Sequence, residues 1–307
     1  MIYQKTLAKE ATVTGIGLHS GRKITLKLIP ASSDFGIQFK RSDIKNSPLI
    51  AANYKTVSAT SNNTTIGQKE LAIHTIEHLL SVLYGFGIDN LLCEVDGPEV
   101  PILDGSSSPF VYLIKDAGIK LLSLPKKFLI IKKPVSVTHQ DKWAKIVPHS
   151  NLSVDSTIVF NHPKIKKQRL TFEFSCSSYF KELARARTFG LLSQIEDLQK
   201  AGLAKGGSLD NAIVLDEFNV LNRDGLRFSD EFVRHKILDT IGDIALTGLN
   251  VVGKITTYKS GHLLHNMLCH QIFASISNYE ILSALELEEQ VTSLFELKNM
   301  NALLGFR

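Results

Sequence analysis

ELAIHTIEHLLSVLYGFG, residues 70–87, breaks with everything before it. Leu71, Ile73, Ile76, Leu79, Leu80 and Leu83 fall on one helical stripe, and Gly85 and Gly87 stop it. Upstream, ITLKLIP (24–30) and GIQFKRS (36–42) alternate apolar and polar residues as half-buried strands do. Downstream, a second helix opens at Ser106–Ser108 with Pro109 in its first turn, and ends before Gly118. The order then repeats. FLIIKKPVSV (128–137), WAKIVP (143–148), STIVF (156–160) and RLTFEFS (169–175) read as strands, followed by a helical Tyr179–Ala186. NAIVLDE (211–217) reads as a strand after the turn at Gly206–Gly207. SDEFVRHKILDTIGDIALTG (229–248) is a helix with Ser229 or Asp230 as its cap.

Strands then helices, twice, predict an α+β protein of two domains, each a β-sheet packed on helices. The expected units are an N-terminal domain over 1–124, a linker over 125–128 and a C-terminal domain over 129–278. A tail over 279–307 follows, expected as a helix with a frayed end.

The 307 residues suit two domains of about 100–200 residues each. With 44% hydrophobic and 21% charged residues, the composition is that of an ordinary globular protein and excludes disordered, collagen-like and coiled-coil chains. The net charge of +5 is uneven: 12 basic and 11 acidic residues over 1–125, 13 and 4 over 126–187, 10 and 15 over 188–307. Cys93, Cys176 and Cys269 are odd in number and far apart, which is not a disulfide framework. The longest uncharged stretch, Ser260–Tyr279, carries His262, His265, Asn266 and His270, more polar groups than a membrane span tolerates. No secretory signal is expected from the opening residues, and the chain reads as cytoplasmic.

Three clusters carry chemistry. His74-Thr75-Ile76-Glu77-His78 matches the H-x-x-E-H pattern of one metallopeptidase class, with two histidines at i and i+4 and a carboxylate beside one. The plain alternative is a surface histidine beside a Glu-His pair. His235, Asp239 and Asp243 are successive i+4 neighbours on a helix that Ile237, Leu238, Ile241, Ile244 and Leu246 leave little room to solvate. His78, His235 and Asp239 would supply the three protein ligands of a catalytic zinc site with its fourth position open. His262, after Gly261, is free to point into a cleft, and Asp243 is a candidate partner to orient and charge it. The glycines at 15, 17 and 21 make GxGxxxG rather than the dinucleotide-binding GxGxxG.

The longer motifs carry a resemblance. TGIGLHSG (14–21), TIEHLLSVLYGFGIDN (75–90), PEVPILDGSSSPFVYL (98–113), FNHP (160–163), RARTFG (185–190), GLRFSDEFVRHKILDTIGD (225–243) and YKSGH (258–262) resemble the UDP-3-O-acyl-N-acetylglucosamine deacetylase family, zinc amidases of lipid A biosynthesis in Gram-negative bacteria. The likeness covers the chain to about residue 275.

It implies a two-domain ββαα-type sandwich with a small insert in each domain. It implies hydrolysis of the 2-acetamido group of a UDP-3-O-acyl-amino sugar, with one Zn2+ per chain on His78, His235 and Asp239; Fe2+ suits the same donors. Carried over, Glu77 is the general base, His262 the general acid, Asp243 its orienting partner, Thr188 an oxyanion donor and Lys236 a nearby positive charge. Phe160 resembles the residue that stacks on uracil, and Lys142 and Lys259 the diphosphate contacts. The insert at 191–217, with Phe189, Leu191, Ile195, Ala212 and Val214, resembles the acyl-chain passage. The family has a small or polar residue where this chain has His74, which takes His74 out of the ligand set.

The expected partner is therefore an acylated UDP-amino sugar, handled by a monomer with transient contact to the inner membrane surface. The competing readings are a zinc peptidase and a nucleotide or nucleic-acid binder. Lys126, Lys127, Lys132, Lys133, Lys164, Lys166, Lys167 and Arg169 suggest the latter, but few aromatics are interleaved for base stacking, so no nucleic-acid partner is expected.

Overall fold

A computed structural model describes residues 2–289. The N-terminal half runs β1 (Tyr3–Leu7), β2 (Ala11–Ile16), β3 (Lys23–Pro30), β4 (Ile37–Arg41), β5 (Ile50–Ala51), β6 (Val57–Ala59), β7 (Thr65–Ile66), α1 (Glu77–Phe86), β8 (Leu91–Val95), α2 (Ser108–Ala117) and β9 (Ile119–Pro125). Next come β10 (Lys127–Ile131), β11 (Val135–His139), β12 (Lys142–Val147), β13 (Leu152–Val159), β14 (Lys167–Glu173), α3 (Cys176–Ser178), β15 (Phe189–Leu191) and α4 (Leu192–Lys200). β16 (Ile213–Leu215), α5 (Glu231–Ile244), β17 (Asn250–Tyr258), α6 (His262–Phe273) and β18 (Tyr279–Ser283) complete it.

The chain is α+β. The first half holds a five-stranded sheet, β2-β3-β8-β4-β5, and the second a seven-stranded sheet centred on β17. β17 pairs antiparallel with β12 and parallel with both β10 and β13. β15 and β16 form a separate parallel pair, with α4 between them in the chain. α6 packs on β11 and β12, and α5 on β13, β14 and α6.

α1 and α5 make the most extensive helix–helix contact, and it joins the two halves. All ten residues of α1 are buried. One core therefore runs from Leu26, Leu28 and Phe39 of the first sheet through Leu79 and Leu83 of α1 and Ile237 and Ile241 of α5 to Ala144 and Val154. Truncating any one of these leucines to alanine costs about 2–5 kcal/mol by lost transfer and cavity formation.

Four expectations are corrected. The helix predicted from Glu70 starts only at Glu77: Ile73 bridges Ile66, His74 bridges Glu99, and Thr75 has φ +58°. Apolar spacing over 71–76 suits both periods, and pairing with residues far along the chain decides it. The linker predicted at 125–128 is nearly all strand, since β9 ends at Pro125 and β10 begins at Lys127. Residues 279–283, expected to open a tail, are β18, paired along the whole of β10; 284–289 are helical and the remainder of the tail lies outside the described residues. The helix predicted over Tyr179–Ala186 is a single π-helical turn at Tyr179–Leu183, preceded by α3.

Candidate active site

The first turn of α1 is pinned by a buried carboxylate. Glu99 accepts hydrogen bonds from the His19 and Ser20 amides, both at 3.0 Å, and from Thr75 Oγ1 at 2.9 Å. This fixes the left-handed turn at Thr75 from which Glu77 and His78 project. His74 precedes the helix, so His74 and His78 do not share a helical face, and His74 Nδ1 bonds Thr65 Oγ1 at 2.8 Å instead. The H-x-x-E-H metallopeptidase geometry is not formed.

Across from α1, α5 presents His235, Asp239 and Asp243 on one buried face, and Gly242 between them allows the Glu77 backbone to approach. His78 Nε2 and His235 Nε2 lie 3.6 and 3.4 Å from Asp239 Oδ1. His235 Nδ1 donates to the Ala186 carbonyl at 3.1 Å, which leaves the Nε2 lone pair facing Asp239. Lys236 Nζ donates to Asp239 Oδ2 at 2.9 Å, while Asp239 Oδ1 is buried with no hydrogen-bond partner. An unpaired buried oxygen costs about 1–3 kcal/mol. Two imidazole nitrogens and a carboxylate oxygen converging here could hold a metal cation.

The electrostatics agree. Burial and the neighbouring His235 pull the His78 imidazole down to about 3, and burial lowers His235 as well, so both rings are neutral with lone pairs available. Burial works to raise the Asp239 carboxyl, but His235, Lys236, His262 and His78 together hold it well below the usual carboxylate range.

Beside this set, His262 opens α6, and its Nδ1 donates to Asp243 Oδ2 at 2.8 Å. His262 Nε2 faces Glu77 Oε1 at 3.9 Å. Burial opposes a charge on His262, yet Asp243, Glu77 and Asp239 overcome it and raise the imidazole to about 9. Burial pushes the Glu77 carboxyl up to about 8, with His262 pulling the other way. The Glu77 carboxyl and the His262 imidazole thus flank the three-ligand cluster, placed so that one can accept a proton and the other donate one.

A cavity of about 570 Å³ opens from here toward the insert. Thr188, Lys236 and His262 line it with Phe160, Phe189, Leu191, Ile195, Ala212 and Val214, so the structure brings nine expected residues to one wall system. Thr188 is set by its neighbours: its amide donates to the Gly105 carbonyl at 2.8 Å, and Gly105, at φ +80°, sits where a Cβ would overlap Asn211. The adjacent Arg187 is locked to fully buried Glu231 at 2.9 Å, tying the 185–188 loop to the start of α5. Phe160 and Phe189 meet edge to face at 5.4 Å.

Lys142 and Lys259 do not line the cavity. Lys142 begins β12, and Lys259 Nζ is held by Asp141 at 2.6 Å. Sequence reasoning missed Leu18, His19, Asn62, Leu192, Leu198 and Leu209 of the lining, and Thr64 and His265 beside Asp243. Leu18 and His19 lay inside the TGIGLHSG block, but loop residues carry no periodic signal. Asn62 and Thr64 lie in a Ser/Asn/Thr run that reads as an ordinary turn.

A family model described as UDP-3-O-acyl N-acetylglycosamine deacetylase matches residues 4–274. The chain is similar to a UDP-3-O-acyl-N-acetylglucosamine deacetylase of Photobacterium profundum, 49% identical over 283 residues, 91% of this chain and 93% of that one. A protein of the same name from Myxococcus xanthus is 48% identical over 281 residues, covering 92% and 90%. Another from Vibrio parahaemolyticus is 46% identical over 308 residues, covering 99% and 100%.

Proposed function

The chain belongs to the UDP-3-O-acyl N-acetylglycosamine deacetylase family, and on that premise we propose that it hydrolyses the 2-acetamido group of UDP-3-O-acyl-N-acetylglucosamine. The products are acetate and the free amine, in a step of lipid A biosynthesis. The observation that carries the reading is the convergence of His78, His235 and Asp239 within reach of both Glu77 and His262.

We assign the metal as Zn2+, held by His78, His235 and Asp239; a His2Asp set accepts Fe2+ too. An ion held there would supply Lewis acidity, making water more acidic and the amide carbonyl more electrophilic. Glu77 takes the proton of the attacking water at Oε1; a cation held by the three ligands would favour the ionised carboxylate that this needs. His262, charged and held by Asp243, delivers the Nε2 proton to the departing amine nitrogen. The two proton transfers contribute roughly 10²–10⁴-fold each. Thr188 and Lys236 act on the developing oxyanion, where a single donor is worth about 2.7–4 kcal/mol.

Phe160 is assigned to the uracil ring and the chamber of Phe189, Leu191, Ile195, Ala212 and Val214 to the acyl chain. Lys142 and Lys259 are assigned to the diphosphate, with Lys259 exchanging Asp141 for it. We place a monomeric enzyme in the cytoplasm, with transient contact to the inner membrane surface where acylated amphiphiles gather; the described residues contain no helix long and apolar enough to cross a membrane.

The test is acetate release from UDP-3-O-acyl-N-acetylglucosamine of several chain lengths, with peptides as the competing substrate. Release from the sugar alone is expected; peptide cleavage without it would overturn the reading.

A further inference from the structure

Asp243 has more donors than the acid needs. His262 Nδ1 and His265 Nδ1 both reach its Oδ2, at 2.8 and 2.7 Å, and Thr64 Oγ1 donates to Oδ1 at 2.5 Å. His265 is 1% exposed and lies one turn along α6 from His262. Its ring is held at the other end too, with Nε2 3.0 Å from Ser260 Oγ and 3.3 Å from Thr240 Oγ1. Thr240 directs its hydroxyl hydrogen to the Lys236 carbonyl at 2.8 Å, so toward His265 it offers a lone pair. A buried histidine anchored at both nitrogens, with one of them on the oxygen that serves the acid, is more than filling.

We propose that His265 is a positioning residue for the general acid: it shares the Asp243 oxygen, holds the carboxylate in line with His262, and limits how tightly that carboxylate keeps the His262 proton. The proposal rests on the reading of His262 as the acid. Each donor to a carboxylate stabilises the anion and makes it a poorer acceptor for the next. Asp243 without the His265 donor would hold the His262 proton harder, and an acid that holds its proton harder delivers it more slowly. The other charged or titratable groups around His262 are Glu77 and His78 from α1 and His235 and Asp239 from α5, with Lys236 of α5 in the same cavity wall, and no variant below touches them. On the far side of Asp243, Cys269 of α6 contacts only its backbone carbonyl.

The sign separates this role from plain packing. In the full-length zinc-loaded enzyme, His265→Leu should lower kcat about tenfold, the scale of one hydrogen bond to a charged group, with KM and zinc content unchanged. Its alkaline limb in kcat/KM should move up by about half a unit to one unit. His265→Asn, which keeps one N–H donor for Asp243, should return both quantities most of the way. A residue that only packs would, when lost, let Asp243 drift and move the limb down. A limb that stays or falls in His265→Leu, or an asparagine variant no better than leucine, overturns the proposal.

If His265→Leu does not fold, His265→Ala, which also removes the donor, and wild type are compared by low-field proton NMR. Wild type should show two imidazole N–H protons on Asp243 and the variant one, displaced further downfield; an undisplaced His262 resonance overturns the proposal. A wild-type alkaline limb that survives in His262→Ala would instead overturn the assignment of the acid.

Discussion

Gly242 of α5 lies against the backbone of Glu77 in α1, so close that a Cβ at 242 would overlap the Glu77 carbonyl oxygen. In an exposed helix, alanine is favoured over glycine by about 1 kcal/mol. Here the glycine is what lets the base and the first ligand reach the other two. Gly242→Ala should therefore lower the melting temperature and weaken metal binding. It should also cut kcat, by about 10²-fold if the helices part by 1 Å. A stabilised variant with full activity would show that the helix contact does not set the site.

Ligands and base should separate in their metal content. His78→Ala and Asp239→Ala should lose the ion, while Glu77→Gln keeps it and loses roughly 10²–10⁴ in kcat. Elemental analysis beside kinetics on the same preparations checks this, and a metal-free Glu77→Gln would remove Glu77 from its role.

The pH dependence follows from His262, raised from 6.5 to about 9. A group whose folded pKa is raised contributes stability that is fully present below its unfolded value and is lost as pH rises through the folded one. Activity that needs the imidazolium should likewise fall on an alkaline limb, above the ordinary histidine value of 6.5. Asp243→Asn removes the largest raising influence and should bring that limb down toward the ordinary histidine range, measured as kcat/KM against pH.

Chain-length preference should respond to the cavity wall. Ala212 is small, buried and part of the lining. Ala212→Trp should raise KM for long-chain substrates much more than for short ones, with kcat on the short ones nearly kept. Equal effects on all lengths would remove the acyl chain from this chamber.

The far end of α1 is held by charge. Lys126 Nζ donates to Asp89 Oδ1 at 2.6 Å and to the Gly87 carbonyl at 3.0 Å, and Lys126 is 4% exposed. Asp89→Ala, which strands a buried ammonium, should cost about 3–5 kcal/mol in chemical denaturation at neutral pH. The double variant Lys126→Met with Asp89→Leu should cost much less, because no charge is left unpaired.

The long, low-chance motifs made the family legible, and the i+4 spacing of His235, Asp239 and Asp243 gave the second helix face directly. In the second sheet β10 to β14 were legible as apolar runs, whereas its central strand β17 and β18 were not read as strands. The start of α1 was not legible: Leu71, Ile73 and Ile76 suit a helix by spacing, and the pairings of Ile73 with Ile66 and of His74 with Glu99, made across the fold, interrupt it. Lys126 read as a linker lysine, since nothing local tells that Asp89, 37 residues upstream, lies beneath it. His265 was hidden for the same reason. Its partner Asp243 is 22 residues away on another helix, and a histidine on an apolar helix face has no signature of its own.

The most direct test is to strip the protein of metal and add Zn2+ back while following deacetylation of UDP-3-O-acyl-N-acetylglucosamine. The account predicts activity rising linearly to saturation at one ion per chain, and no recovery in Asp239→Ala at the same zinc. Full activity in the metal-free protein, or equal recovery in Asp239→Ala, would contradict it.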